Sequence, residues 1–291
     1  TWDADISEIE SGGYLFYDNS KPMPASKFRD DIHVIGVPLT QLCNAAYAEP
    51  RQRQLFKNIV YVGALSALLS IEIEVIEKLI AEQYKSKPKL LDSNKQALHM
   101  GRDYVLNNLQ HPIGLQVKRA DAVGNRIFLE GNSAAALGCV YGGATVCAWY
   151  PITPSSSCAE AFQSYCMKYR VDSETGKNRY AIVQAEDEIA AIASAIGASY
   201  AGSLGITSSS GPGIALKGEA IGLAIMTELP LVIVNSQRGG PSTGLPTKTE
   251  QSDLYQAVYG RNGDAPLPVI AARSPADAFD CAIEACRIAV Q

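Results

Sequence analysis

The chain has 291 residues, of which 47% are hydrophobic and 19% charged, and its formal net charge is −5. This length allows two domains with a substantial buried core. The mild negative charge, without a basic stripe of interleaved aromatic residues, argues against a nucleic acid as partner.

Two short strands are predicted at residues 14–17 and 32–37, within a weakly patterned stretch that extends to residue 57. Apolar residues then recur at helical spacing from Asn58 to Tyr84, and a second helix is predicted at 90–106. His99, on that second helix, has no acidic residue at a useful spacing, so we expect it to be solvated.

Residues 107–126 have the composition of a linker, with a His-Pro pair, mixed charges and a Gly-Asn turn. We place the domain boundary within 115–128. The resulting organisation is a first domain over 1–120, a linker over 121–130 and a second domain over 131–291.

From Glu130 onward, apolar runs of four to seven residues alternate with helical patterns, which predicts parallel βαβ units covered on both faces. We expect a doubly wound α/β domain. The predicted strands cover 144–150, 180–184, 204–207, 231–235 and 269–272. The predicted helices cover 133–139, 159–169, 188–201 and 214–227, with a last helix opened by Ser274 and Pro275.

Polar or glycine-rich loops follow four of these strands, and the carboxyl ends of parallel strands meet at one edge of a sheet. Three acids, residues 186–188, open a helix that is apolar on nearly every side, so a carboxylate there is expected against a dry interior. Residues 208–213 (SSSGPG) allow an anion nest or close approach of a planar ring. Arg238, beside two glycines, has room to bind a carboxylate, and Thr153 offers a hydroxyl.

The seven cysteines are scattered, and neither a Cys-x-x-Cys pair nor a Cys/His cluster at metal spacing occurs. We therefore expect this chain alone to build no zinc or iron–sulfur site, and its thiols to be reduced in the cytoplasm. No signal peptide opens the sequence, and the longest apolar run meets Glu72 and Glu74 before membrane-spanning length. We expect a soluble chain. Because it begins at Thr1 and ends at Gln291 inside a helical pattern, we also expect a fragment of a longer polypeptide.

Four segments together resemble the α subunit of the 2-oxoacid:ferredoxin oxidoreductases, and most of all the members that act on 2-oxoglutarate. They are 150–156 (YPITPSS), 186–191 (EDEIAA), 207–213 (TSSSGPG) and 237–247 (QRGGPSTGLPT). The resemblance covers about residues 130–291 and implies the pyrimidine-binding domain for thiamine diphosphate, truncated on its C-terminal side. Residues 58–65 and 93–104 resemble part of the γ domain that some members carry ahead of α, although its usual opening strand–turn–helix is missing.

The resemblance also implies roles for individual residues. Glu188 would hydrogen-bond the aminopyrimidine and activate the coenzyme, with Glu186 as the second choice. Thr153 and Arg238 would be catalytic and would bind the 2-oxoacid, Arg238 at its carboxylate, and Thr247 would hold the distal carboxylate of a dicarboxylic substrate. Other residues would contact the coenzyme, namely Ser210, Gly211, Gly213 and Ile152.

A separate β subunit would supply the diphosphate site, Mg²⁺ and a [4Fe-4S] cluster, in an (αβ)2 heterotetramer. The implied reaction converts a 2-oxoacid and coenzyme A to acyl-CoA and CO₂ and reduces ferredoxin. Its reversal is a reductive carboxylation of the kind used in the reductive TCA cycle.

Three alternatives stay open at the level of the sequence. The first is a related enzyme acting on pyruvate, indolepyruvate or branched-chain 2-oxoacids. The second is a non-catalytic subunit of such a complex, against which the intact Thr153, Glu188 and Arg238 argue. The third is a flavodoxin-like nucleotide binder, which the missing phosphate-binding fingerprints disfavour.

Overall fold

The computed structural model describes residues 2–291, which divide into two compact units between Gly124 and Asn125. The first unit contains two strands, β1 Tyr14–Asp18 and β2 His33–Val37, which pair in parallel with Tyr14 opposite His33. Its α-helices are α1 Trp2–Ser7, α2 Leu39–Ala46, α3 Pro50–Leu68, α4 Ile73–Gln83 and α5 Pro88–Asn108, and a 3-10 helix spans Ala25–Lys27. Both strand predictions are confirmed.

The core of the first unit lies between α3 and α5, whose backbones come into contact. A Cβ atom added at Gly63 would lie 1.9 Å from the carbonyl oxygen of Leu98, and one added at Gly101 would lie 1.9 Å from that of Val60. The two glycines therefore permit the close crossing around which Val60, Leu98 and their apolar neighbours are buried.

Asp18 joins β1 to the start of α2. Its carboxylate accepts hydrogen bonds from the N–H and Oγ1 of Thr40 and from the N–H and Oγ of Ser20. Burial opposes the ionisation of Asp18, but these hydrogen bonds outweigh it and lower its pKa to about 2.

Three expectations for this unit are wrong in detail. The helix predicted from Asn58 to Tyr84 begins earlier, at Pro50, and is divided into α3 and α4, with Ser70 at a φ of 55° in the break. The weakly patterned opening stretch also contains α1 and α2, which are too short for a clear period. His99 has an acidic partner, since its Nε2 lies 2.6 Å from Oε1 of Glu77 on the neighbouring helix.

The second unit contains four parallel strands in the order β4-β3-β5-β6. The strands are β3 Val146–Trp149, β4 Ala181–Gln184, β5 Gly205–Ser209 and β6 Leu231–Asn235. The helices are α6 Gly131–Tyr141, α7 Ser156–Tyr169, α8 Glu188–Tyr200, α9 Gly211–Leu216, α10 Gly218–Met226, α11 Leu254–Tyr259 and α12 Pro275–Ala289.

Helices cover both faces of this sheet, as the alternation along β6 shows. Val232 and Val234 pack into the apolar cluster formed with α6, α7 and α12, whereas Leu231 and Ile233 pack into the cluster formed with α8 and α10. Since the chain moves from β3 outward to β4 and then returns to β5 on the other side of β3, the predicted doubly wound α/β fold is confirmed.

Two predicted elements of this unit are wrong. Residues 269–272 form no strand in the described chain, and Val269 and Ile270 are about 40% exposed. The pattern of a short apolar run does not show whether a neighbouring strand is available to pair with it. The helix predicted at 214–227 is also interrupted, because α9 ends at Leu216 and α10 begins at Gly218.

Within residues 2–291, no helix combines the length and apolarity needed to cross a membrane. In the same range, we find no group of three or more His, Cys, Asp or Glu side chains that could hold a metal ion. All seven cysteines are free thiols, and six of them are buried.

Candidate active site

The strand order reverses between β3 and β5, and in an open parallel sheet this is where a crevice forms. The two strands pair only through Val146 with Gly205 and Cys147 with Ile206, whereas β5 pairs with β6 through five residue pairs. The last residues of β3 and β5 are therefore free to diverge. In open α/β sheets, ligands bind outside the carboxyl ends of the strands at this reversal point.

The carboxyl end of β5 carries a run of four buried hydroxyl side chains, Thr207 to Ser210. Within residues 2–291, the Oγ atoms of Ser208, Ser209 and Ser210 have no hydrogen-bond partner. Because buried polar atoms are nearly always hydrogen-bonded, such a run indicates a surface built to receive a polar ligand or a second chain.

Glu188 is the first residue of α8. Its side chain lies against Gly213, in the Gly-Pro-Gly turn (residues 211–213) that opens α9. The helix is capped by Asp187, whose Oδ1 accepts the N–H of Ala190 at 2.7 Å. A Cβ atom added at Gly213 would lie 2.9 Å from Cγ and 3.2 Å from Oε1 of Glu188. Glu188 is half-buried, whereas Glu186 is exposed, so the structure brings Glu188 to the turn.

The expectation of a dry interior around α8 holds on one face of the helix, where Ile192 and Ile196 are buried, but not on the other. Ile189, the second residue of the helix, is 52% exposed, and Tyr200 at the other end is 82% exposed. The apolar composition of a helix does not distinguish a core from a face that a further chain covers.

Arg238 is oriented by the backbone and not by an acidic side chain. It is 5% exposed, and its Nη1 donates to the carbonyl oxygen of Thr153 at 2.7 Å while its Nη2 donates to that of Thr243 at 2.6 Å. A guanidinium has five N–H groups, so three remain, and Nε has no partner within residues 2–291. Arg238 therefore ties the Thr153 loop to its own loop and keeps donors for an anion.

Asn132, which sequence reasoning did not single out, also joins two of these loops. Its Nδ2 donates to the carbonyl oxygen of Pro154 at 3.0 Å and to Ser157 Oγ at 2.9 Å, and its Oδ1 accepts from Ser236 Oγ at 2.8 Å. The ends of β3 and β6 are thus held together by one side chain of α6. No local pattern marks such an asparagine.

A cleft of about 540 Å³ is lined by Gly211 and Pro212 of α9, by Arg238 and by the loop that follows Arg238. Asp253 and Gln256 form part of its wall. Burial raises the pKa of Asp253, and the neighbouring Glu250 adds to the effect. Oδ2 of Asp253 is buried without a partner in the part of the chain that the structure describes, so this side chain is a further polar group that sequence reasoning missed.

The remaining predicted site residues are placed less centrally. The Thr153 side chain is exposed, next to the cis peptide bond that joins it to Pro154. Ile152 shapes the same loop, because its N–H bonds Ser156 Oγ at 3.1 Å. Ser210 and Gly211 lead into α9 as predicted, whereas Thr247 lies in an exposed turn outside the lining of the cleft.

Two family models match this chain. One, described as "Pyruvate flavodoxin/ferredoxin oxidoreductase, thiamine diP-bdg", matches residues 137–291, which is more than half of the sequence. The chain belongs to the 2-oxoacid:ferredoxin oxidoreductase family. A second model, "Pyruvate ferredoxin/flavodoxin oxidoreductase", matches residues 1–104.

Individual members of this family are similar to all or to about half of this chain. The 2-oxoglutarate oxidoreductase subunit KorA of Mycobacterium tuberculosis is 41% identical over 99% of this chain and 46% of its own length. The 2-oxoglutarate synthase subunit KorA of Archaeoglobus fulgidus is 43% identical over 56% of this chain and 44% of its own length. The chain therefore spans less than half of the curated relatives described here.

A solved member of the family has the same fold. It is the 2-oxoglutarate:ferredoxin oxidoreductase from Magnetococcus marinus, with 2-oxoglutarate, coenzyme A and succinyl-CoA bound. The TM-score is 0.74 at 32% identity, over 99% of this chain and 48% of that one.

The residues at the crevice fit the pyrimidine half of thiamine diphosphate. A carboxylate, Glu188, touches the turn at Gly213, and the unpartnered hydroxyls of β5 lie beside it in sequence.

Proposed function

We propose that this chain is the pyrimidine-binding part, with a portion of the γ domain, of an enzyme that decarboxylates 2-oxoglutarate oxidatively. With coenzyme A it would form succinyl-CoA and CO₂ and reduce ferredoxin, and the reverse reaction would be a reductive carboxylation. The observation that supports this most is the contact of Glu188 with Gly213 at the carboxyl end of the sheet, beside the buried hydroxyls of β5. Relatives named for 2-oxoglutarate support the choice of substrate.

Thiamine diphosphate, when bound, supplies an electron sink for the loss of CO₂ from a 2-oxoacid. Glu188 would hold the aminopyrimidine by a hydrogen bond at its Oε1 and exchange a proton there, which is general acid–base chemistry. Gly213 leaves room here, because an added Cβ would lie 2.1 Å from Oγ of Ser209 and 2.9 Å from Cγ of Glu188. Ser210, Gly211 and Ile152 would line the pyrimidine pocket through their loops.

Arg238 would bind the carboxylate of the 2-oxoacid with the donors left over from its bonds to Thr153 and Thr243. Because these backbone bonds fix the guanidinium before a ligand arrives, little side-chain entropy would be lost on binding. Thr153 would face the reacting carbonyl. Thr247 would reach the distal carboxylate only after the exposed turn that carries it moves toward the cleft.

Other components would come from outside this chain. A β subunit would supply the diphosphate site, Mg²⁺ and a [4Fe-4S] cluster, in an (αβ)2 assembly that passes electrons to ferredoxin in the cytoplasm. The exposed apolar residues of α8 support a second chain at this face. We assign residues 1–120 to the γ portion, 121–130 to the linker and 131–291 to the pyrimidine-binding domain.

The test is ferredoxin reduction by the complete enzyme with its partner subunit, comparing wild type, Glu188→Gln and Glu186→Gln. We expect Glu188→Gln to lower kcat by at least 100-fold, because general acid–base catalysis contributes about 10² to 10⁴. Glu186→Gln is the matched control, since that acid is exposed and two residues away. A loss of activity in Glu186→Gln alone would assign the activation of the coenzyme to Glu186. Full activity of both variants would refute the proposal that either acid activates it.

The substrate is tested with the same complex on 2-oxoglutarate, pyruvate, indolepyruvate and a branched 2-oxoacid. We expect preference for 2-oxoglutarate, and a raised KM for this substrate alone in Thr247→Ala. Preference for a monocarboxylic 2-oxoacid would overturn the substrate assignment. An intact complex with no activity on any of the four would favour a non-catalytic subunit.

A further inference from the structure

Lys217 is the largest charged side chain that the second unit buries completely, with 0% of it exposed. Its Nζ donates to the carbonyl oxygen of Glu188 at 2.8 Å and to Oγ1 of Thr207 at 3.3 Å. The ammonium thus connects β5 with the first residue of α8. Nothing in the sequence pattern indicates this, because residue 217 falls inside an apolar helical stretch.

The break between α9 and α10 is what brings this side chain inward. Lys217 is the C-cap residue of α9 and also the N-cap residue of α10. Its N–H bonds the carbonyl oxygens of Gly213 and Ile214 at 3.2 and 3.1 Å, so the turn that carries Lys217 is anchored on the same Gly213 that touches Glu188.

Burying an ammonium is costly, so this position would be expected to hold an apolar residue if packing were its only role. Burial lowers the pKa of Lys217 to about 8, and the carboxylates of Glu188 and Asp187 oppose that shift, as does the Cys147 thiol on β3. The favourable groups around the ammonium are therefore concentrated at the entry of α8.

We propose that Lys217 is a positioning residue, which fixes Glu188 against the Gly-Pro-Gly turn through its bond to the Glu188 carbonyl oxygen. This inference rests on the proposed function, in which Glu188 activates the coenzyme. Because Lys217 is completely buried and bonded to Glu188 and Thr207, it would act through Glu188. Its loss would let the first turn of α8 shift while the fold persists, and a shift of about 1 Å in a reacting group can cost about 100-fold in rate.

The direct measurement is exchange of the C2 proton of bound thiamine diphosphate for deuterium, in the complete enzyme and without 2-oxoacid. Wild type is compared with Lys217→Met, which keeps the length and removes the charge, and with Lys217→Arg, which keeps the charge and the donors. Lys177→Met is the matched control, because Lys177 is an exposed lysine of the same unit. The affinity for thiamine diphosphate and the melting temperature of each variant are measured alongside.

We expect Lys217→Met to slow the exchange at saturating coenzyme about 10- to 100-fold. We also expect an unchanged KM for the 2-oxoacid, partial recovery in Lys217→Arg and no effect of Lys177→Met. Thr207→Val, which removes one of the two acceptors, should slow the exchange to a smaller degree, and it carries the test if Lys217→Met does not assemble.

Exchange within twofold of wild type in every assembled variant at position 217 and in Thr207→Val would overturn the proposal, even if the melting temperature fell. That combination would make Lys217 a residue of stability alone. Failure of the proposed function gives a different result, because the wild-type complex would then show no accelerated exchange.

Discussion

Gly213→Ala adds a single methyl group at the contact between the glycine-rich turn and Glu188. The new Cβ would lie 2.1 Å from Oγ of Ser209, 2.9 Å from Cγ of Glu188 and 3.2 Å from its Oε1. Real Cβ atoms do not approach other atoms this closely, so Ser209 or Glu188 must move. Ser209 is buried and is the closer of the two, so we expect the clash with its Oγ to dominate and Glu188 to be displaced with it.

The size of the effect follows from two opposing terms. Overpacking a well-packed site costs about 1 to 3 kcal/mol, whereas replacing glycine by alanine inside a helix gains up to about 1 kcal/mol. Gly222→Ala isolates the second term, because Gly222 also lies in a helix and an added Cβ would meet no atom within 4 Å. The difference in unfolding free energy between the two variants should therefore be about 1 to 3 kcal/mol, with Gly213→Ala the less stable.

The assay is urea unfolding followed by the fluorescence of Trp149, in a Trp2→Phe background. The sequence contains two tryptophans, and Trp149 is buried at the end of β3, so it reports on the second unit. Titration of the complete enzyme with thiamine diphosphate then shows whether the moved carboxylate weakens coenzyme binding, which we expect.

Ser209→Ala provides the decisive comparison, because it removes the atom nearest to the added methyl group. We expect Gly213→Ala to cost at least about 1 kcal/mol less in that background, since neighbouring residues do not act additively. Equal costs in both backgrounds, or equal stability of Gly213→Ala and Gly222→Ala, would refute the contact between the turn, Ser209 and Glu188.

Three further predictions concern other contacts. Asp18 has its pKa lowered to about 2 from 3.8, so its contribution is present above pH 4 and is lost as the pH falls toward 2. Asp18→Asn should therefore remove about 2 kcal/mol of the unfolding free energy of the first unit at pH 7, and flatten its acid dependence. Arg238→Lys should raise the KM for the 2-oxoacid at least 10-fold, since a lysine has a single nitrogen in place of the Nη1 and Nη2 that separately reach Thr153 and Thr243, and it lacks the fork that binds a carboxylate. Asn132→Ala should lower kcat in the complete enzyme about 10-fold, because it leaves the two strand ends without their link.

Each of these predictions has a clear contrary result. Asp18→Asn with wild-type stability at both pH 7 and pH 3 would show that the Thr40 cap is not needed. An unchanged KM in Arg238→Lys would show that Arg238 does not bind the substrate and that its role is limited to its hydrogen bonds with the backbone. Ser157→Ala is the control for the second acceptor of Asn132. A wild-type kcat in Asn132→Ala would show that the loops after β3 and β6 keep their positions without the hydrogen bonds of Asn132.

The sequence alone was enough for the class of fold and for the edge of the sheet that carries the site. Alternating apolar runs and helices indicated parallel βαβ units. The segments beginning at Tyr150, Glu186 and Gln237 follow β3, β4 and β6, and the segment beginning at Thr207 includes the last residues of β5. This works because strand and helix periods are local properties, and because parallel strands place all their carboxyl ends on one edge. The run at 269–272 shows the limit, since local apolarity does not say whether a strand finds a partner.

Which side chains meet depends on the tertiary structure. Lys217 reaches Glu188 across 29 positions, Arg238 reaches the Thr153 carbonyl across 85, and Asn132 reaches Ser236 across 104. No period in the sequence encodes such pairs, because each depends on how far two strands separate and on where a helix breaks. The sequence thus determined where chemistry could occur along the sheet. The packing of α9, α10 and the strand ends brings a buried ammonium, that of Lys217, to the carbonyl oxygen of Glu188.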